Sequence, residues 1–547
     1  MTSQPDQPPD THLELSAVQK RIAGATGIMM AAILSSRILG LIRDSVVAAR
    51  LGQRFEADVY NAAFMLPDLL FFLIAGGGLG AAFIPVFTEY LSSDREQDAW
   101  KIFSTVATIM ALAVGVLIAV GWIFAGPLIH ITNFGYPPDK VAATVPLTRI
   151  VLPAQICFFL GGLLMGTLNV RQQFLIPAVG PIIYNMGIII GGLLLGSKLG
   201  PAGFCWGALS GALIGNFLLQ LWAVRRIGMQ FSPSFDLHHP GVIKVWKLML
   251  PVLLGLALPQ VSIIINRMFA SELGNGPQSA LINANRLIQF PLGVFAQAMA
   301  VAIFPTLSLQ AAAGQINDLR RTTSLGIRSI LFLTVPTSIW MTILATPIVQ
   351  LILQQVHFTA ADTPLTVIAM EYYAIGIFAW SVQAILARGF YAMQDSLTPV
   401  VIGTVATIVF IPLNWIFMKP LHMGHGGLAL ATSIGAILNM AALFWVLRRR
   451  LYGIEGGRML IAAVKIAVAS GVSALVCLAS RNLLMGHLVG LSESSLQGLK
   501  IESLATILIS SALALVAYLA TARFLRMEEM QAAIGAMRRQ RMSGLDD

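Results

Sequence analysis

Charged residues inside long apolar segments are the features of this chain best able to do chemistry. Arg37, Arg43 and Asp44 lie in the first such segment, and Asp58 and Arg286 lie in two others. An arginine near the centre of a membrane helix is disfavoured by about 2.5–3.5 kcal/mol on insertion scales, so it usually faces a protein-lined or watery interior. A planar guanidinium also offers paired donors that match phosphate. We therefore predict that these five residues form an anion site suited to phosphate.

The spacing of these charges suggests a role for each residue. Arg37 and Asp44 are seven residues apart, which places them on one face of a helix, about 10.5 Å apart along its axis. We expect Asp44 and Asp58 to orient the arginines, or to neutralise them when the site is empty. Two structural alternatives stay open. Arg43 and Asp44 could mark the outer end of the helix, and Arg37 could form an ion pair or cap a helix.

Other chemistries find little support in the sequence. The eight histidines are scattered and form no H-E-x-x-H motif, and no Walker A pattern occurs. The three cysteines lack C-x-x-C spacing, which argues against a zinc site. The run Gly76-Gly77-Gly78 lies in an apolar segment with no strand before it, so it favours close helix packing over a phosphate loop. We predict a protein that is not an enzyme and needs no metal or cofactor.

Composition indicates a polytopic α-helical membrane protein. The 547 residues are 56% hydrophobic and 11% charged, and apolar runs recur near the roughly 20 residues that a helix needs to cross a bilayer. The net charge is +10, and the basic residues lie mostly between these runs. They therefore indicate the orientation in the membrane and not a nucleic-acid binding function. We place fourteen segments at about 22–48, 58–91, 102–129, 143–168, 175–197, 202–224, 242–269, 280–311, 326–353, 366–393, 397–418, 427–447, 459–484 and 501–525.

The distribution of basic residues predicts the orientation. With a cytoplasmic N-terminus, the inner connections hold roughly 22 Lys and Arg against roughly 8 outside. Both termini are therefore expected to be cytoplasmic.

An internal duplication predicts the domain organisation. Six segments make each half, so the two halves share one orientation, as in transporters with parallel repeats. At an offset of 222, Ala48, Leu51 and Gly52 match Ala270, Leu273 and Gly274, and Gln172 and Pro177 match Gln394 and Pro399; at 223, Trp222, Arg225 and Arg226 match Trp445, Arg448 and Arg449. The predicted parts are a disordered cytoplasmic tail (1–21), an N-terminal lobe (22–226), a C-terminal lobe (242–450), a helix pair (458–525) and a cytoplasmic tail (526–547).

Several motifs resemble one known family. The stretch SRILGLIRDSVVAARLG begins at Ser36, ADVYNAAFMLPDLL begins at Ala57, NRLIQFPLGVF begins at Asn285 and GFYAMQDSLTP begins at Gly389. In this order they resemble the MurJ (MviN) lipid II flippases of the multidrug/oligosaccharidyl-lipid/polysaccharide exporter superfamily. The family's fourteen helices agree with the segment count. The resemblance also maps important charges of the family's cationic cavity onto Arg37, Arg43, Asp58 and Arg286.

The resemblance implies a function and a location. It implies transport of undecaprenyl-pyrophosphate-linked peptidoglycan precursor, lipid II, from the inner to the outer leaflet of the bacterial cytoplasmic membrane by alternating access. The expected partners are lipid II, membrane lipids and possible cell-wall synthesis proteins. A lateral opening beside helices 1 and 8 would admit the lipid tail, and a groove in the helix 13–14 pair is thought to hold it.

Four positions depart from many relatives, and three other functions remain open. This chain has Phe71-Phe72 in place of an arginine pair, and Gly76 and Gln289 in place of acids. Its cavity is therefore expected to carry fewer charges. The alternatives are a flippase for another polyprenyl-linked oligosaccharide, a cation-coupled drug exporter of the same superfamily, and a non-transporting scaffold of the cell-wall machinery.

Overall fold

The computed structural model describes Ala32 and residues 34–74, 78–492 and 495–531, with side chains described outside 72–81, 250–262 and 486–494. In these ranges the chain is helical and contains no strand, which confirms the predicted all-α class. Ten of the described helices are long and apolar enough to cross a membrane. An eleventh span results if Thr363–Ala374 and Ile377–Ala392, bent by 42°, are counted as one. The number fourteen remains a prediction.

The first half of the chain forms eleven helices. They are α1 (34–51), α2 (Phe55–Ala63), α3 (Met65–Ile74), α4 (Gly78–Ser92), α5 (Glu96–Ile123), α6 (Ala125–Thr132), α7 (Pro138–Val151), α8 (Ala154–Val170), α9 (Leu175–Leu199), α10 (Pro201–Gly211) and α11 (Leu219–Arg226), with a π-helical turn at Ala212–Leu218 between the last two. Proline opens α7 and α10, where its missing N–H and fixed φ suit a first helical turn.

The second half of the chain also forms eleven helices. Its helices are α12 (Pro240–Ala270), α13 (Pro277–Pro291), α14 (Gln297–Ala312), α15 (Ile316–Ile343), α16 (Ala345–Ile352), α17 (Thr363–Ala374), α18 (Ile377–Ala392), α19 (Leu397–Met418), α20 (Gly424–Arg450), α21 (Gly456–Ser492) and α22 (Leu496–Phe524). A 3₁₀ turn, Ser271–Leu273, precedes α13, and a π-helical turn, Leu292–Ala296, separates α13 from α14.

Matching backbone features support the internal duplication. Gln172 connects α8 to α9 with φ +56°, and Gln394, its match at an offset of 222, connects α18 to α19 with φ +58°. Gly52 and Gly274, another matched pair, have φ values of +67° and +84°. A Cβ on Gly52 would also lie 2.5 Å from the His357 carbonyl oxygen, so glycine is required there. The two halves therefore share unusual turns at corresponding positions.

The chain divides into two compact units. The first unit contains the described residues up to Val47, Ala63–Leu128 and Ala143–Leu256. The second contains Ala48–Ala62, Ile129–Ala142 and the described residues from Ala257 onward. Two short stretches of the first half, which include α2 and much of the connection from α6 to α7, are thus part of the second unit.

The first unit is organised around an aromatic core and a close helix contact. Phe87 lies between Phe83 and Trp100, with ring centroids 5.1 and 5.4 Å away. On α9 and α10, glycines let the two backbones touch, because a Cβ on Gly207 would lie 2.3 Å from the Gly187 carbonyl oxygen. Small residues at such contacts are typical of membrane helices, which gain stability by packing closely.

In the second unit, a buried arginine of α15 forms hydrogen bonds with two glutamates that follow the final helix pair. Arg328 donates from Nη1 to Glu528 (2.9 Å) and Glu529 (3.1 Å), which follow α22. Tyr518 of α22 donates to the Phe332 carbonyl oxygen at 2.7 Å. The hydrogen bond from Arg328 also lowers the pKa of Glu528. The pair α21–α22 is thereby attached to α15 by polar as well as apolar contacts.

The α9–α10 contact predicts a glycine requirement. We expect Gly207→Val to lower the free energy of unfolding by at least about 2 kcal/mol, because neither backbone can yield to the added methyl groups. Thermal unfolding in detergent, followed by size-exclusion chromatography, measures the loss. Gly471→Val is the matched control, since a Cβ there meets no atom within 4 Å. Equal melting temperatures for both variants would contradict the prediction.

Candidate functional site

In the first unit, Arg43 is held by two polar neighbours. Its guanidinium donates from Nε and Nη2 to Asp44 Oδ1 at 3.0 and 2.9 Å, and from Nη1 to Asn185 Oδ1 at 3.0 Å. Asn185, on α9, donates in turn to the Ser36 carbonyl oxygen at 3.4 Å. Asp44 is buried and Arg43 is partly exposed. The cation is therefore oriented by a neighbouring acid and by a second helix, and part of it remains accessible.

Arg37 lies on α1, six residues before Arg43. Its side chain is exposed, and it makes no hydrogen bond or ion pair with the part of the chain that the structure describes. An unneutralised arginine within an apolar helix is suited to an external anion. The structure thus brings Arg43 and Asp44 into contact and leaves Arg37 near them on the same helix.

In the second unit, Asp58 lies at the centre of a buried polar network. Asp58 and Lys140 form an ion pair of 2.9 Å, and their side chains are 0% and 1% exposed. Asp58 also accepts hydrogen bonds from the backbone N–H groups of Gly276 (2.8 Å) and Ser279 (3.0 Å). These N–H groups open α13, so the carboxylate caps this helix from a distant part of the chain. Asp58 is therefore paired with a lysine, and its expected role toward the arginines stays a prediction.

Neighbouring groups complete this network. Lys140 Nζ also donates to Asn275 Oδ1 at 2.9 Å and lies 4.2 Å from the centre of the Tyr136 ring. The Tyr136 hydroxyl donates to Gln278, whose side chain donates to Asn133 at 2.9 Å. Burial raises the pKa of Tyr136, so its hydroxyl stays protonated. Such a network stabilises a buried ion pair, because each charge retains the hydrogen bonds that it would otherwise make with water.

A second contact holds the stretch between α1 and α2 to α17. Gln53 is fully buried, donates to the Asp362 carbonyl oxygen at 3.0 Å and accepts from Thr366. Asn61 on α2 donates to Ser279 at 3.1 Å. The residues around Asp58 are therefore anchored both to the start of α13 and to α17.

Arg286 lies on α13, the helix that Asp58 caps. It follows Ser279 by seven residues, which corresponds to about 10.5 Å along the helix on the same face. The side chain is half-buried. Five residues later, Pro291 ends α13 and a π-helical turn begins, a feature often found near functional sites. Gln289, one turn beyond Arg286, is exposed.

Phe71 contributes an aromatic contact where many relatives are expected to have an arginine. Its ring packs edge-on against Phe158, with centroids 5.7 Å apart, and Phe158 packs against Tyr184 at 5.1 Å. Tyr184 directly precedes Asn185, the residue that binds Arg43. The side chains of Phe72 and Gly76 lie outside the described residues.

Sequence reasoning missed two residues that hold the site together. Lys140 follows two prolines and an aspartate in a polar connection, so it resembled an exposed loop lysine. Asn185 lies in an apolar helix, and its isolation among aliphatic residues was the only signal available. A lone polar residue at membrane depth normally needs a partner, and that rule could have identified it.

The fold of this chain is similar to those of two solved membrane proteins. The fold resembles that of a multidrug resistance MATE family transporter of the MOP superfamily in an inward-facing conformation, with a TM-score of 0.65, 14% identity, and coverage of 76% of this chain and 94% of that one. It also resembles a lipid II flippase MurJ in an inward closed conformation, with a TM-score of 0.75, 23% identity, and coverage of 91% and 98%. The chain thus shares the fold of these two proteins.

Sequence relatives agree with the structural match. The family model "Lipid II flippase MurJ" matches residues 47–526. The probable lipid II flippase MurJ of Vibrio cholerae is 32% identical over 443 residues, covering 78% of this chain and 83% of that protein. The lipid II flippase MurJ of Burkholderia cenocepacia is 31% identical over 425 residues, covering 76% and 82%. This chain belongs to the MurJ lipid II flippase family, and the resemblance seen in its motifs is confirmed.

The buried ion pair predicts an unequal response to two lysine substitutions. Lys140→Met leaves Asp58 buried without its counter-charge, so we expect it to lower the free energy of unfolding by about 3–5 kcal/mol. Lys101→Met is the control, because Lys101 and Asp236 form an exposed pair of 2.8 Å that contributes little. Thermal unfolding in detergent compares the two variants. A loss no larger for Lys140→Met than for Lys101→Met would contradict the prediction.

Proposed function

We propose that this protein is a lipid II flippase that moves the undecaprenyl-pyrophosphate-linked peptidoglycan precursor from the inner to the outer leaflet of the bacterial cytoplasmic membrane. The observation that carries the proposal is Arg37 of α1, an exposed arginine within an apolar helix that makes no hydrogen bond or ion pair with the described residues. Arg43 is oriented by Asp44 and Asn185, and Arg37 has no partner among the described residues. Membership of the MurJ family supplies the identity of the anion.

Arg37 and Arg43 would bind the pyrophosphate. The two arginines are separated by six residues, which is about 9 Å along α1 and about 120° around it. Their long side chains would bring both guanidinium groups to the pyrophosphate and the first sugar. Asp44 and Asn185 each hold the Arg43 guanidinium through one oxygen. A cation held in place loses less side-chain entropy when the anion arrives.

Asp58 and Arg286 would act together through α13. Asp58 does not need to touch the lipid, because it caps the helix that carries Arg286 and thereby fixes the position of that guanidinium. Lys140 neutralises Asp58 and prevents it from repelling the pyrophosphate. This division would place a positive charge on each unit, with Arg37 and Arg43 on the first and Arg286 on the second.

Transport would proceed by alternating access of two parallel six-helix lobes within a fourteen-helix chain whose termini are cytoplasmic. The halves have matched elements, which supports rocking of one lobe against the other. An inside-negative potential favours outward movement of an anionic headgroup by about 2.3 kcal/mol per charge per 100 mV. The potential could then supply energy for transport, with no nucleotide hydrolysis in the chain.

A flippase for another polyprenyl-linked oligosaccharide is the second candidate. Phe71 is the observation that favours it, since this residue packs against Phe158 where an arginine would add charge. A pyrophosphate linkage is common to both substrates, so only the glycan or peptide portion would differ. A cation-coupled drug exporter is disfavoured, because Asp58 is already neutralised by Lys140.

The function is tested by removing the arginines from a cell that depends on this protein. We expect Arg286→Ala, like Arg37→Ala, to reduce outward movement of lipid II by about ten- to hundredfold, since one hydrogen bond to a charged group contributes about 1.5–3 kcal/mol. Growth of a flippase-depleted strain and exposure of lipid II on the outer leaflet are the measurements, with protein levels checked by immunoblot.

The control for this experiment is Arg321→Ala, which removes an exposed arginine of α15. It should support normal growth. Full growth with Arg286→Ala at normal protein levels would contradict the proposed site. Normal exposure of lipid II after depletion of the wild-type protein would exclude lipid II as the substrate, and loss of another polyprenyl-linked glycan would identify the second candidate.

A further inference from the structure

The ends of α11 and α20 share the same arrangement of tryptophan and arginine. At the end of α11, the Arg226 guanidinium lies 4.1 Å from the centre of the Trp222 ring. At the end of α20, the Arg449 guanidinium lies 3.7 Å from the centre of the Trp445 ring. Both tryptophans are about half exposed, at 48% and 53%. The internal duplication has therefore kept a cation–π pair on an outer surface, where it serves no packing need of the core.

The arginines at the end of α20 differ in how they are neutralised. Arg450 forms an ion pair with Asp395 and donates to Thr398 at 3.0 Å. Arg448 and Arg449 are exposed, and within the described ranges no carboxylate lies within 4 Å of either guanidinium. Two adjacent positive charges beside an exposed tryptophan are thus available to an external anion.

Arg448 is one of the residues that line an apolar cleft. Its volume is about 690 Å³, and α15, α18, α20 and α21 form its walls. Among the described residues that line it, Arg448 is the one with a charge; the others include Leu331, Phe444, Ile466 and Ala467. The cleft therefore combines a long apolar surface with a positive group at one end, which is the shape and polarity of a lipid with an anionic headgroup.

The corresponding site in the first half is smaller. A cavity of about 310 Å³ is lined by Leu218, Leu221, Trp222, Arg225 and Arg226. The helix that follows α11, α12, contributes none of the residues that line this cavity. The basic and aromatic residues are nevertheless the same, at an offset of 223. Arg225 and its match Arg448 each line one of the two cavities, which indicates that both cavities suit the same kind of ligand.

We propose that the cleft between α20 and α21 binds an anionic phospholipid of the surrounding bilayer, with its phosphate between Arg448 and Arg449 and one acyl chain along the cleft. Arginine forms paired hydrogen bonds with phosphate, and tryptophan prefers the level of the headgroups. A zwitterionic lipid would bring a positive group toward the arginines and bind more weakly. The site beside Trp222 would take the same headgroup with less of the acyl chain enclosed.

A bias of basic residues toward one membrane face accounts for arginines at helix ends. It does not account for the cavities that adjoin them or for the stacking on both tryptophans. The site is also separate from the residues proposed to bind the substrate, none of which lines either cavity. Occupancy of the cleft would link α21 to α20 and so hold the helix pair α21–α22 against the other helices of the second unit.

Native mass spectrometry of the purified full-length protein tests the proposal. The probes are phosphatidylglycerol and phosphatidylcholine with identical acyl chains, in the absence of polyprenyl lipids. We expect the wild type to bind phosphatidylglycerol at least about tenfold more tightly than phosphatidylcholine, because charge-assisted bonds to arginine are strong. The variant Arg448→Gln/Arg449→Gln should lose most of this preference. Equal binding of both lipids by the wild type would overturn the proposal.

Two further variants separate the headgroup from the cleft. Arg321→Gln/Arg523→Gln removes the same charge from exposed positions elsewhere and should leave binding unchanged; an equal loss in this control would mean non-specific attraction and overturn the proposal. Ala467→Trp fills the cleft while both arginines remain, and it should weaken binding several-fold. Unchanged binding by a correctly folded Ala467→Trp would remove the acyl chain from the cleft. Size-exclusion profiles establish folding. If Ala467→Trp aggregates, the variant Arg448→Gln/Arg449→Gln decides the test alone.

Competition identifies the occupant. Undecaprenyl pyrophosphate shares the anionic head and apolar chain of a phospholipid, so it is added at equal concentration to the wild type loaded with phosphatidylglycerol. We expect phosphatidylglycerol to stay bound to the cleft. Its complete displacement would assign the cleft to the substrate and overturn the phospholipid proposal.

Discussion

Burial of charge in an environment without water is the constraint on which this structure depends. Asp58 and Lys140 are almost completely enclosed, and each would destabilise the fold if its partner were absent. The protein meets this demand with backbone N–H groups from the start of α13 and with polar groups from the segment around Tyr136. These contacts join three stretches of chain that are distant in sequence. The position of Arg286 on α13 follows from them.

The same constraint explains how Arg43 is treated. A charge in an apolar helix needs a counter-charge or a polar neighbour, and Asp44 and Asn185 supply both. Arg37 has no such counter-charge among the described residues, and its side chain is exposed. Elsewhere in the first unit, uncharged stretches of helix are stabilised by close packing instead. Gly187 and Gly207 provide such a contact between α9 and α10.

Some site residues could be found from the sequence and others could not. Arg37, Arg43, Asp58 and Arg286 stand out because charge is rare in apolar segments, so their type alone reveals them. The partner of Asp58 could not be found in this way. Lys140 lies 82 residues away in a polar connection, and nothing local distinguishes it from a solvent-exposed lysine. Its burial results from contacts with Asp58 and with the turn that precedes α13, and these contacts form only in the folded unit.

The sequence by itself determined that the chain is an all-helical membrane protein, because hydropathy is a property of local composition. Its internal repeats also predict a duplicated plan. It also determined which charges are costly enough to need a function. Tertiary structure decided which charges pair. It showed Asp58 with Lys140, Arg43 with Asn185 and Arg328 with Glu529, since ion pairing depends on distances between atoms that only the packing of distant helices creates.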